Sequence, residues 1–155
     1  MHGSPDFIDL PTARQITGLT VRTSNARERD SATALLPGLW GRFIAATRGE
    51  SEPPAPVFSV YTDYESDANG EYTVVLGREA GPSPLQQRSV RVVPGRYAVF
   101  TSTGEIPAAV VAGWQEVWSY FARAGAPARA YTTDFEYYDP ALPSTVRIHI
   151  AIRAS

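Results

Sequence analysis

Hydrophobic positions along this chain switch from period-two to helical spacing and back, and then repeat the switch. Phe7 to Thr23 reads as extended, with Pro11 interrupting and Ile16, Leu19 and Val21 keeping it partly apolar. Asn25 to Leu35, rich in charged and small residues, reads as a connection with a helical lead-in. Leu36, Leu39, Trp40, Phe43 and Ile44 then recur at helical spacing around Pro37, a residue suited to a first helical turn because its missing N–H is not needed there. Gly49 and the run SEPPAP stop that helix. From Val57 the period falls to two, setting Phe58, Val60, Thr62 and Tyr64 on one face and Ser59, Tyr61, Asp63 and Glu65 on the other. Asn69-Gly70 is a hairpin signal that turns the chain into a strand from Glu71 to Arg78.

The same order recurs downstream. Ser89 to Ser102 is extended with a Pro94-Gly95 break, and Pro107 opens a second helix with Val110, Val111, Trp114, Val117, Trp118 and Phe121 as its apolar stripe. Gly125 and Pro127 end it. A closing hairpin sets Val146, Ile148, Ile150 and Ile152 on one face, with Arg147, His149 and Arg153 on the other. Trp40 and Phe43 answer to Trp118 and Phe121, and Asp63-Tyr64-Glu65 to Asp134-Phe135-Glu136, an offset of 71 positions (136 − 65). The expected fold is α+β: two pseudo-twofold related βαββ halves, approximately residues 5–79 and 88–154 of a single domain spanning 1–155, with antiparallel sheets and one long helix each. The segment Ala80 to Gln87 joins the halves, and a ligand groove is expected between them. The helices are expected to cover the face bearing Phe58, Val60, Ile148 and Ile150, leaving Tyr61, Glu65, Asp134, Glu136 and Tyr138 on the opposite face.

Composition narrows the chemistry. At 155 residues the chain can bury a core without staples, and zero cysteines exclude disulfides, thiol catalysis and thiolate metal sites. Fourteen Lys and Arg against sixteen Asp and Glu leave no basic footprint for nucleic acid. No targeting segment or apolar run near the ~20 residues of a membrane span is visible, so the cytoplasm is the expected compartment. The two histidines, His2 and His149, are too few for a metal site, and no nucleophile elbow, zinc helix, P-loop or dinucleotide fingerprint is present. Neither a metal nor a cofactor is expected.

What remains is a carboxylate among aromatics. Eight tyrosines and three tryptophans are many for this length, and Tyr131, Phe135, Tyr137 and Tyr138 flank Glu136 in sequence. On spacing alone Glu136 reads either as a solvated strand residue or as a desolvated carboxylate suited to a lipophilic cation, which meets both the charge and the ring faces.

The run FEYYDP at Phe135 to Pro140, followed by the terminal strand VRIHIAI, resembles the C-terminal signature of the GyrI-like effector-binding domains, the ligand-sensing part of AraC-type and MerR-type regulators. VYTDY, EYTVVLGRE, VPGRYAVFTSTG and GWQEVWSYF resemble the family's other blocks in the same order across essentially the whole chain. The resemblance implies a pocket for hydrophobic, often cationic, small molecules with Glu136 as its acidic residue. Tyr138, Tyr61 and Tyr97 with Trp114 and Trp118 are its implied aromatic walls, each of the tryptophans reading equally as core. Glu65 reads as a second acidic wall or as a solvated strand end. The effector-like blocks run from Phe7 to Ile152, so no DNA-binding domain and no direct nucleic-acid contact are expected. The resemblance leaves three functions open: an effector-binding protein, favoured here; a hydrolase opening strained, cyclopropanoid-type electrophiles with Glu136 as general base; and an interaction protein acting on DNA gyrase or a regulator. Monomer and homodimer both stay open.

Overall fold

The computed structural model describes residues 5–48, 55–67, 69–79 and 87–153. Strands β1 (Asp6–Leu10) and β2 (Arg14–Ser24) lead into a short helix α1 (Asn25–Glu28) and the longer α2 (Leu36–Thr47). Strands β3 (Val57–Thr62) and β4 (Glu71–Glu79) complete the first half. The second half runs β5 (Arg88–Val92), β6 (Gly95–Thr103), α3 (Ala108–Phe121), β7 (Asp134–Tyr138) and β8 (Thr145–Ala151). All eight strands form one antiparallel sheet in the order β1-β6-β8-β7-β3-β4-β2-β5. The α+β class and the paired βαββ plan therefore stand, with a trade of strands between the halves. β1 pairs with β6 of the second half, and β5 pairs with β2 of the first.

The register fixes the pseudo-twofold axis. Reading across the sheet, Leu19 pairs with Leu76, Leu76 with Ser59, Ser59 with Glu136, Glu136 with Ile148, and Ile148 with Phe100. Cross-strand neighbours share a face, so this row is apolar at both flanks and polar only at its centre. The counterpart of Glu136 is thus Ser59. The offset that paired it with Glu65 follows a local likeness of sequence, and Glu65 is an exposed residue beyond the end of β3.

The two longer helices, α2 and α3, lie on the face that carries this row. Leu39 and Phe43 of α2 pack on Leu19, Tyr61, Tyr72, Val74 and Leu76. Val117 of α3 packs on Ala98, Phe100, Val146, Ile148 and Ile150. Among the described residues the other face has no helix; there Ile16, Phe58, Val60, Val75, Val92, Tyr97 and Phe135 from strands across the sheet form a single cluster, which a sheet can do only by curling around them. The expected face assignment holds for Ile148 and Ile150 and fails for β3 and β7. Phe58 and Val60 lie away from the helices, while Tyr61, Glu136 and Tyr138, expected opposite the helices, lie beneath them.

The helix stripes also turn relative to expectation. The buried positions of α3 are Ala109, Gly113 and Val117, whereas Val111 and Trp118 are exposed. A side chain at Gly113 would stand 2.7 Å from Ile148 Cδ1, so small residues bring this helix close to the sheet and rotate the row of Trp114 and Trp118 toward the centre of the molecule. In α2, Leu39 and Phe43 are buried, Trp40 is half-buried and Ile44 is exposed. Asn69-Gly70 sits in a longer connection between Thr62 and Glu71, where the Gly70 N–H donates to the Asp67 carbonyl at 3.2 Å. The expected helix stop from Gly49 to Pro54 and the joint from Ala80 to Gln86 lie outside the described residues.

Candidate functional site

Glu136 occupies the middle of β7, next to the pseudo-axis, and is 2% exposed. A carboxylate there loses its hydration, and the sequence supplies donors in its place. Oε2 accepts from the Tyr61 hydroxyl and from Trp114 Nε1, each at 2.7 Å, and Oε1 accepts from the Tyr138 hydroxyl at 2.5 Å. Tyr61 arrives from β3 across the central pairing, Tyr138 lies two residues along β7 on the same face, and Trp114 descends from α3. All three donors are neutral, so they satisfy the lone pairs without cancelling the charge. Burial pushes the Glu136 carboxyl above its usual range, and the hydrogen bonds from Tyr138, Trp114 and Tyr61 pull it back only in part. Burial, reinforced by the Glu136 charge, pushes the Tyr61 and Tyr138 hydroxyls upward, which keeps them protonated as donors.

Rings surround this carboxylate. Tyr61 lies 5.0 Å from Trp114 and 5.3 Å from Tyr72, Trp118 lies 6.2 Å from Trp114, and Trp40 of α2 meets Tyr138 edge-on at 5.1 Å. Trp118 is 43% exposed and forms the outer rim on α3. The result is a buried acid, held only by neutral donors, beneath two tryptophan-bearing helices.

Asp134, two residues earlier on β7, is buried differently. Its Oδ2 takes Arg129 Nη2 at 2.8 Å and the Tyr64 hydroxyl, and its Oδ1 takes the Ala151 N–H at 2.8 Å. Arg129 in turn lies over the Tyr131 ring at 4.5 Å. This is a closed ion pair that ties β7 to β8 and the preceding loop.

Of the residues singled out from sequence, the structure gathers Glu136, Tyr138, Tyr61, Trp114 and Trp118 at one place. Tyr97 is not among them; it is 1% exposed on the helix-free face, with its hydroxyl shared between the Val93 carbonyl and Thr133 Oγ1. Glu65 is exposed and accepts the Glu71 N–H at 3.3 Å. Trp40 and Tyr72 belong to the ring wall and escaped the sequence reading. The signal for Trp40 was present, since it answers to Trp118 in the repeat and both flank the same centre. Among the described residues no group of three or more His, Asp or Glu is placed to hold a metal ion, and no helix is long and apolar enough to cross a membrane.

The sequence profile described as the GyrI-like small molecule binding domain matches residues 4–154. The chain belongs to this family. A Bacillus subtilis (strain 168) protein named "Putative transcriptional regulator protein YobU" is 33% identical over 153 residues, covering 90% of this chain and 92% of its own. The crystal structure of the integron cassette protein VCH_CASS2 from the mobile metagenome of Vibrio cholerae is 37% identical, with a TM-score of 0.86 over 98% of this chain and 97% of that one. The structure of SAV2435 bound to tetraphenylphosphonium shares the fold at 16% identity, with a TM-score of 0.72 over 98% of this chain and 95% of the other. This GyrI-like domain thus carries the buried Glu136 next to the pseudo-axis that relates its two halves.

Proposed function

We propose that this GyrI-like domain is an effector-binding protein for lipophilic, cationic aromatic molecules, with Glu136 as counter-charge. The observation that carries the reading is a 2%-exposed carboxylate held by three neutral donors inside a wall of aromatic rings. A delocalised cation supplies the charge those donors lack, and each ring it meets contributes roughly 0.5–2 kcal/mol once desolvated. Trp114 and Tyr138 are only half-buried, so one of them swings aside to admit the ligand and exchanges its hydrogen bond for the ionic contact. SAV2435, a protein of the same fold bound to tetraphenylphosphonium, supports the ligand class. In this reading the domain acts as a sensor or a sequestering receptor.

The test is a titration of the parent and Glu136→Gln with tetraphenylphosphonium and with neutral triphenylphosphine oxide, followed by tryptophan fluorescence. The cation is expected to bind the parent and to lose about 10–100-fold in affinity in the variant, the cost of removing one partner of a desolvated charge contact. The neutral compound should bind both proteins alike. Equal losses for the two compounds would remove Glu136 from the charge-recognition role.

A further inference from the structure

The helix-free face holds a cavity of about 200 Å³ whose chemistry is opposite to that around Glu136. Its floor is Phe58, Tyr97, Phe135 and His149, each less than a tenth exposed. Its mouth carries two guanidinium side chains, Arg14 from β2 and Arg147 from β8. Arg14 is half-solvated and shares its charge with Glu79 at 3.3 Å, whereas Arg147 has no carboxylate partner among the described residues. His149 stacks flat on Phe135 at 4.2 Å and 11°, so the floor is a surface of rings. Burial, with the two arginine charges added to it, lowers His149 to about 4, which leaves its imidazole neutral near pH 7. The cavity is smaller than the ~300–1,000 Å³ that drug-sized ligands occupy, which limits its occupant to one or two rings.

We propose that this cavity is a second ligand site, taking a small aromatic carboxylate with its ring against Phe58, Phe135 and His149 and its carboxylate between Arg14 and Arg147. An apolar floor beneath a cationic mouth selects an amphipathic anion, because the ring gains burial while the carboxylate stays at the rim where two forked donors reach it. A cation is repelled there, and a fully polar anion gains nothing from the floor. The two faces of one sheet would then bind organic ions of opposite sign, back to back through β7, where Phe135 faces this cavity and Glu136 faces the helices.

The experiment is an NMR titration of the full chain with benzoate, 1-naphthoate and indole-3-acetate, with benzamide as the neutral isostere of benzoate, reading the His149 imidazole signals. At least one carboxylate should shift His149 saturably at millimolar concentration, and benzoate should outbind benzamide. Arg147→Gln should weaken carboxylate binding by about tenfold or more, as loss of a charge-assisted hydrogen bond does, and Arg14→Gln should weaken it less because Glu79 already draws on that charge. Glu136→Gln should leave carboxylate binding unchanged, and Arg147→Gln should leave tetraphenylphosphonium binding unchanged. No His149 shift with any of the three carboxylates would overturn the proposal. So would equal binding of benzoate and benzamide, or carboxylate affinity indifferent to Arg147.

Discussion

Glu136 and Asp134 stand two residues apart on the same strand, both buried, and differ in what surrounds them. Asp134 meets a guanidinium at 2.8 Å and is spent on structure; Glu136 meets two hydroxyls and an indole and keeps its charge uncompensated. A folded protein retains an uncompensated buried acid at a cost, which is why such groups collect at functional sites. The hydrogen bonds set how high the acid sits. Because each donor favours the charged form, Tyr138→Phe should raise the Glu136 pKa further. If Glu136 is the counter-charge proposed above, a bound cation needs it ionised, so affinity should fall as pH drops through that raised value. In Tyr138→Phe the fall should begin at a higher pH than in the parent, measured as tetraphenylphosphonium affinity against pH. An unchanged profile would show that the hydrogen bond does not hold the carboxylate. At this scale the sequence made the residue types legible, since an acid among tyrosines stands out in FEYYDP. It could not tell Glu136 from Asp134 by partner, because Arg129 and Trp114 reach them through the fold.

The elements were legible where period decides and illegible where parity does. Strand alternation grouped Tyr61 with Ser59, and Glu136 with Tyr138, on common faces, but alternation is the same whichever face meets the helices. The deciding fact is the pairing of Ser59 with Glu136 and of Glu136 with Ile148, a non-local register that puts Ile148 and Phe58 on opposite sides. Helix α3 misled for a related reason. The expected stripe included Val117, which does meet the sheet, but its larger members drew attention away from Ala109 and Gly113, which complete the buried row. Close approach recurs between β2 and β4, where Gly18 pairs with Gly77 and a Cβ on Gly77 would lie 1.9 Å from the Thr17 carbonyl oxygen. Backbone cannot rotate away, so Gly77→Ala should cost about 3 kcal/mol, read from the urea midpoint. Gly38 and Gly41 lie in α2, where a Cβ added at either position would meet nothing within 4 Å. Replacing either by Ala should stabilise by about 0.5–1 kcal/mol in the same assay. A Gly77→Ala protein as stable as the parent would mean the two strands are further apart than described.

The whole molecule is one curled sheet completed by exchange. Each half lends its first strand to the other, β1 to β6 and β5 to β2, so the halves cannot separate without exposing two strand edges. That exchange was hidden in the sequence, because a break at Pro11 or at Pro94-Gly95 marks where a strand ends and says nothing about its partner. The repeat was visible, but its local likeness pointed six residues away from the true counterpart of Glu136, which is Ser59. The consequence is that a nearly symmetric fold carries, adjacent to its axis and beneath α2 and α3, an acid held only by neutral donors, where the proposed ligand would sit. Calorimetry of tetraphenylphosphonium binding at mildly acidic pH, in two buffers of different ionisation enthalpy, tests that acid most directly. Burial raises the Glu136 carboxyl and the proposed contact favours its ionised form, so over the pH range in which that carboxyl titrates, cation binding should release protons in the parent and release none in Glu136→Gln. Proton release of the same size in both proteins would contradict the assignment of Glu136 as the counter-charge.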